Sequence, residues 1–256
     1  MRTACITGAS SGIGEEFAKQ LAAKHYNLIL VARSADKLDA LAKKLRKKYA
    51  VSCEVIPCDL AQEDECLRLI RILKKRDLYL FINNAGFGDI GYFHETAQDK
   101  DLQMINVNVR ALHLLAKEIL ADFVAKNRGY LLNVASIAGL MNGGPLMATY
   151  YATKSYVVSL TSSIAQELKM EGSDVHVSAL CPGPVATNFD DVAGVSFSLK
   201  SISAARCVEV CLKQMNRGKL IIVPGFTSRL GAMLCHLAPR SLQLVVAAHA
   251  QGKKLS

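Results

Sequence analysis

A short apolar run, ACIT at residues 4–7, passes directly into GASSGIG and then into EEFAKQLAAKH. No other stretch restricts the fold so strongly. The first piece reads as a buried strand, and the third has the apolar spacing of a helix. A strand that turns through glycines straight into a helix opens a βα unit, and βα units build parallel sheets. Gly8 permits the tight turn, Gly12 lets the backbone approach a phosphate, and Gly14 lets the helix pack closely on the strand. The helix start then presents free N–H groups to an anion. Ser10, Ser11 and Ile13 belong to the same loop and share its candidacy for phosphate contact.

The rest of the chain repeats the alternation. NLILVAR (27–33), VSCEVIPCDL (51–60), LYLFINNAG (78–86), GYLLNVAS (129–136), DVHVSALCPG (174–183) and KLIIVPG (219–225) read as further strands. Helical patterns separate them at 36–49, roughly 62–75, 99–127, 149–170 and 202–218. In open α/β sheets, ligands bind outside the carboxyl ends of the strands. Gly8, Arg33, Asp59, Asn84 and Ser136 all fall at such ends, so the topology should bring them to one edge.

The end of the second strand decides between cofactors. A carboxylate there would grip the ribose 2′-hydroxyl of NAD. Here it carries Arg33 and Ser34, and arginine can hold a 2′-phosphate with two hydrogen bonds. The expected cofactor is NADP(H). Asp36 is placed to cap a helix beginning at Lys37. Asp59-Leu60 closes the third strand, where Asp59 is placed to cap the next helix.

SIAGLMNGGPLMATYYATK (136–154) holds the reactive pattern. Ser136 lies at a strand end and Tyr150 near the start of a helix. Lys154 returns to the same helix face four residues later. An ammonium beside a phenol lowers the phenol pKa, which would make Tyr150 a proton donor and acceptor. Asn106 and Asn108 interrupt an otherwise apolar helical face, and asparagine within a helix is unfavourable unless it has another task.

TGASSGIG, NNAG, the Val107-Asn108 pair, Ser136 with Tyr150-x-x-x-Lys154, and PGPVAT (182–187) stand in the order of the short-chain dehydrogenase/reductase family. The chain resembles that family over residues 7–187. The resemblance implies one domain over 1–256, with a Rossmann-type, doubly wound, parallel seven-stranded sheet of order 3-2-1-4-5-6-7. It implies catalytic roles for Asn108, Ser136, Tyr150 and Lys154, with Asn108 holding a water of the proton relay and Asn106 the competing choice. It also implies cofactor contacts at Asp59, Leu60, Asn84, Ala85, Gly86, Tyr150, Lys154, Pro182, Gly183, Val185 and Thr187. Arg110 is bulkier than the residue often found two after that asparagine. ARSADKL and the apolar tail resemble the branch of NADPH-dependent ketosteroid and long-chain ketoacyl reductases. The implied reaction is reversible hydride transfer between nicotinamide and a ketone or secondary alcohol. A non-catalytic NADP(H)-binding sensor on the same fold is the alternative.

Hydrophobic residues make up 51% and charged residues 21% of the chain, a globular balance. The net charge of +9 gathers in LAKKLRKKYA (41–50) and RLIRILKKRD (68–77). Those runs carry only Tyr49 among leucine-type spacers, not the interleaved aromatics of a nucleic-acid surface, so they read as solvated helix faces. The eight cysteines lack metal-ligand spacing, so no metal is expected. Cys207 and Cys211 share one helix face and read as core. Met1 runs into the first strand without a leader pattern, so reduced thiols and a cytoplasmic location are expected. Residues 188–201 read as a substrate lid and 226–252 as an apolar helical tail, each half too short to span a bilayer. Phe87, Asp89 and Tyr92, with Met141, Met147, Phe189 and Phe197, are candidates to touch a hydrophobic substrate. A homodimer or homotetramer is expected from the family, through helices 99–127 and 149–170.

Overall fold

A strand buried on both faces sends alternate side chains to opposite layers, and the computed structural model shows this across the sheet. It describes residues 1–187, 201–225, 227–231 and 238–252. Strands β1 (Thr3–Thr7), β2 (Asn27–Ala32) and β4 (Leu78–Asn83) place Ala4, Ile6, Leu28, Leu30, Leu80 and Ile82 in one core. Helices α1 (Gly12–Ala23), α2 (Ala35–Tyr49) and α7 (Ala204–Met215) cover that face. The alternate residues Cys5, Ile29, Val31 and Phe81 enter a second core. Helices α3 (Glu63–Leu73), α5 (Leu112–Ala125) and α6 (Ala148–Met170) close it.

With β3 (Cys53–Pro57), β5 (Tyr130–Val134), β6 (His176–Leu180) and β9 (Ile221–Ile222), the sheet has seven parallel strands. Their order is β3-β2-β1-β4-β5-β6-β9. This is the doubly wound order expected. The seventh strand counts as β9 because β7 (Val185–Ala186) and β8 (Ile202–Ser203) pair separately as a short parallel ribbon. That ribbon was not anticipated: its strands are two residues long, too short to show a period.

The long helical stretch is not one α-helix. It runs as α4 (Gln98–Ile105), a π-helical turn over Asn106–Ala111, then α5. Such turns interrupt α-helices frequently at functional positions. Ser34, not Asp36, occupies the N-cap of α2, and Asp36 sits in its first turn. The basic runs are solvated helix faces, partly paired: Arg68 with Glu65, Lys74 with Glu118 and Arg76 with Glu54. The seven described cysteines are free and buried, Cys207 and Cys211 fully so.

Except for Ser201, the expected lid lies outside the described residues, as do Phe189 and Phe197. Within the tail, α8 (Arg240–Gly252) packs through a polar stripe. Gln243, Ala247 and Gln251 are buried, whereas Leu242, Val245 and Val246 are exposed. Gln251 Nε2 donates to Tyr151 Oη at 2.6 Å, and Asn142 Nδ2 donates to Gln243 Oε1 at 3.0 Å. Among the described residues no helix is long and apolar enough to cross a membrane.

Candidate active site

The carboxyl ends of β1 and β4 are bound together by side chains. Thr7 Oγ1 accepts from the N–H groups of Asn84 (2.9 Å) and Ala85 (3.0 Å). Asn84 Nδ2 donates to the carbonyls of Thr7 (2.8 Å) and Gly8 (3.3 Å). Asn83 Nδ2 donates to the Leu112 carbonyl at 2.9 Å, tying β4 to α5. Gly8 sits at φ +66°, and a Cβ there would lie 2.8 Å from Asn84 Nδ2. At Gly14 a Cβ would lie 2.2 Å from the Gly8 carbonyl oxygen. Close approach of helix and strand therefore needs glycine at both positions.

A groove of about 600 Å³ runs along this edge. Gly8, Ser10, Ser11, Gly12 and Ile13 line it, as do Arg33, Ser34, Asp59, Leu60, Asn84, Ala85 and Gly86. Tyr150, Lys154, Pro182, Val185 and Thr187 line it too. Gly14 lies beneath the loop, and a Cβ at Gly183 would meet Ser228 Oγ at 2.3 Å. Both glycines thus serve the groove through packing. Asp59 Oδ1 accepts from the Ala61 N–H at 3.1 Å, which closes the turn before α3. The N-cap of α3 is Gln62, so Asp59 is not its cap.

Sequence reasoning missed Cys58, Ala61, Lys100, Gln103 and Val107, which also line the groove. Their signal was present. Lys100, Gln103 and Val107 have the spacing of one helix face, and Cys58 and Ala61 flank a pair already singled out. Phe87 lines the groove. Asp89 instead pairs with Lys100 at 2.6 Å, and Tyr92 is exposed.

Ser136 follows β5 and heads a 3₁₀ turn, Ile137–Leu140, with its Oγ accepting from the Ala138 N–H at 3.2 Å. Tyr150 and Lys154 rise one turn apart on α6, and both are buried. The Lys154 ammonium donates to the Val134 carbonyl at 3.0 Å and stands 5.9 Å from the Tyr150 ring centre. Burial pushes the Tyr150 phenol up to about 12, and its hydrogen bond with Ser136 pulls the other way. Burial brings Lys154 down to about 8. This corrects the expectation of a phenol acidified by its lysine. Both groups lose water, and burial is the largest cause of each shift.

Asn108, on the π-helical turn, is fully buried, while Asn106 is half-buried. Asn108 Oδ1 accepts from the Phe87 N–H at 3.1 Å. Its Nδ2 donates to the Phe87 carbonyl at 2.9 Å and to Thr153 Oγ1 at 3.2 Å. Gly86 leaves room for both this amide and the lysine: a Cβ there would lie 2.9 Å from Asn108 Oδ1 and 3.1 Å from Lys154 Nζ. Gly139 is equally constrained, because its Cβ would lie 2.4 Å from the Lys154 carbonyl oxygen. Gly139→Ala should therefore lower stability by roughly 1–3 kcal/mol through overpacking. Thermal unfolding reads this directly, and an unchanged midpoint would contradict it.

Fold and side chains together define a class: a doubly wound α/β protein with serine, tyrosine and lysine gathered at the carboxyl edge of its sheet. The family model described as short chain dehydrogenase matches residues 2–194. The chain belongs to the short-chain dehydrogenase family. It is 36% identical over 177 residues to a very-long-chain 3-oxoacyl-CoA reductase of Podospora anserina, covering 67% of this chain and 52% of that one. It is 30% identical over 190 residues to the inactive hydroxysteroid dehydrogenase-like protein 1 of Homo sapiens, covering 73% and 57%. The chain thus spans just over half the length of these curated relatives. A solved short-chain dehydrogenase from Sphingobium yanoikuyae in complex with NADPH is 30% identical with a TM-score of 0.84, covering 93% and 94%.

Proposed function

We propose that this chain is an NADP(H)-dependent reductase or dehydrogenase that interconverts a hydrophobic ketone and its secondary alcohol. One observation carries the reading. Tyr150 and Lys154 line the groove where β5 ends, with Ser136 hydrogen-bonded to Tyr150, while Arg33 and Asp59 line it where β2 and β3 end. From β2 to β5 is three interstrand spacings, about 14 Å, so one extended dinucleotide has a place for each end. The glycine cradle at Gly8 and Gly12 fits a pyrophosphate, since side chains there would meet Asn84 and Thr187. Arg33 and Ser34 are exposed in the groove, as a 2′-phosphate requires. NADPH of the Sphingobium yanoikuyae relative supports the same cofactor.

When bound, the nicotinamide would supply hydride to the carbonyl carbon. The chain's own groups handle the oxygen. The Ser136 hydroxyl donates to the carbonyl oxygen and polarises it. Tyr150, held protonated at neutral pH, gives its proton to the nascent alkoxide. Lys154 would steady the resulting phenolate and hold the nicotinamide ribose, and Asn108 behind it would anchor a water that resupplies the proton. Phe87, Met141 and Met147 pack with Tyr150 and Tyr151 in one apolar cluster, which suits a hydrophobic substrate. Free, buried thiols suit a reducing compartment such as the cytoplasm. Exposed Leu102, Ile105 and Val124 on α4 and α5 suit pairing of subunits into a dimer or tetramer.

NADPH consumption over a panel of hydrophobic ketones tests the activity. Arg33→Ala should raise KM for NADPH about tenfold or more, as loss of a charge-assisted bidentate contact does, and leave KM for NADH nearly unchanged. Equal changes would remove the cofactor assignment. The second reading, a non-catalytic sensor, is favoured by the human relative described as inactive. Tight NADPH binding with no turnover of any ketone would establish it instead.

A further inference from the structure

Arg110 departs from the family pattern, and the reaction gives it no task. It leaves the same π-helical turn as Asn108, but its guanidinium reaches the other way, towards the loop between β3 and α3. Nη2 donates to the Ala61 carbonyl at 2.9 Å, and Nη1 pairs with Glu63 at 3.2 Å. The Ala61 N–H is held in turn by Asp59 Oδ1. The Ala61 backbone is thus fixed from both sides, by Asp59 at its N–H and by Arg110 at its carbonyl. The pair with Glu63 is solvent-facing and weak. The bond to the Ala61 carbonyl is the partly buried one. Asp59, Leu60 and Ala61 all line the groove.

We infer that Arg110 is a positioning residue for the adenine end of the cofactor, setting the Asp59–Ala61 loop from the turn that also carries Asn108. A small residue at 110 could not reach the loop. Here one rigid turn braces both ends of the groove: Asn108 holds the Phe87 peptide near the phenol, and Arg110 holds the Ala61 peptide near the adenine subsite. The inference rests on the dinucleotide reading above.

The test measures binding, not turnover. Wild type, Arg110→Met, Arg110→Lys and Glu63→Gln are titrated with NADPH, with adenosine 2′,5′-bisphosphate and with reduced nicotinamide mononucleotide. Arg110→Met keeps an apolar stem and loses the donors. It should weaken NADPH and the adenosine bisphosphate about five- to tenfold, the scale of one lost part-buried hydrogen bond. The nicotinamide fragment should bind as before, and turnover at saturating NADPH should stay within about twofold. Arg110→Lys still reaches the carbonyl with one donor and should recover part of the loss. Glu63→Gln should change little. Amide exchange at residues 59–62 should quicken in Arg110→Met. Unchanged adenosine affinity in Arg110→Met, or equal loss for both fragments, overturns the inference while leaving the cofactor reading intact. Failure of the wild type to bind either fragment removes the cofactor reading itself, and this inference with it.

Discussion

Tyr150→Phe is expected to reduce ketone turnover about a thousandfold, within the range a positioned general acid contributes. NADPH affinity should move far less, because the ring remains and only a hydroxyl is lost. The phenol is buried, hydrogen-bonded to Ser136 and held protonated to about pH 12. It is therefore a proton donor across the neutral range, and its pKa must fall for the reverse reaction. Steady-state turnover with a hydrophobic ketone, alongside NADPH titration, checks both halves. Equal turnover by wild type and variant would falsify the role assigned to Tyr150.

Lys154→Met should lower turnover at least about a hundredfold and change the pH dependence of stability. Folding lowers the lysine from its ordinary 10.5 to about 8. Between those values the unfolded chain binds more protons, so wild-type stability rises with pH across that window. Below pH 8 the buried ammonium carries its full penalty, roughly 3 kcal/mol for such a depression. Methionine removes that penalty but leaves the Val134 carbonyl without its lysine donor, a loss of roughly 1–3 kcal/mol. The variant should therefore be at least as stable as wild type at pH 7 and fall progressively behind it towards pH 10. Thermal unfolding of both proteins across that range measures this. Parallel curves would mean that Lys154 keeps an ordinary pKa in the folded protein.

The fold was legible because its signals are local and repeated. ACIT followed by GASSGIG marks β1 and the start of α1, and each later apolar run marks a strand within a few residues. The edge carrying Gly8, Arg33, Asp59, Asn84 and Ser136 followed from strand polarity alone. Three features could not be read. The β7–β8 ribbon is too short for a period. The π-helical turn shows in the sequence only as two asparagines on an apolar face, which signal a task but not a geometry. The pKa order of Tyr150 and Lys154 depends on burial from every side, and residue spacing reports only their proximity.

The polar stripe of α8 reaches closer to the chemistry than its place at the end of the chain suggests. Gln251 grips Tyr151, and Tyr150 is the residue before it on the same helix. Neighbours on a helix diverge by about 100°, so one tyrosine faces the groove while the other is tethered to the tail. A tug on the last helix would thus be felt one peptide bond away from the proton donor.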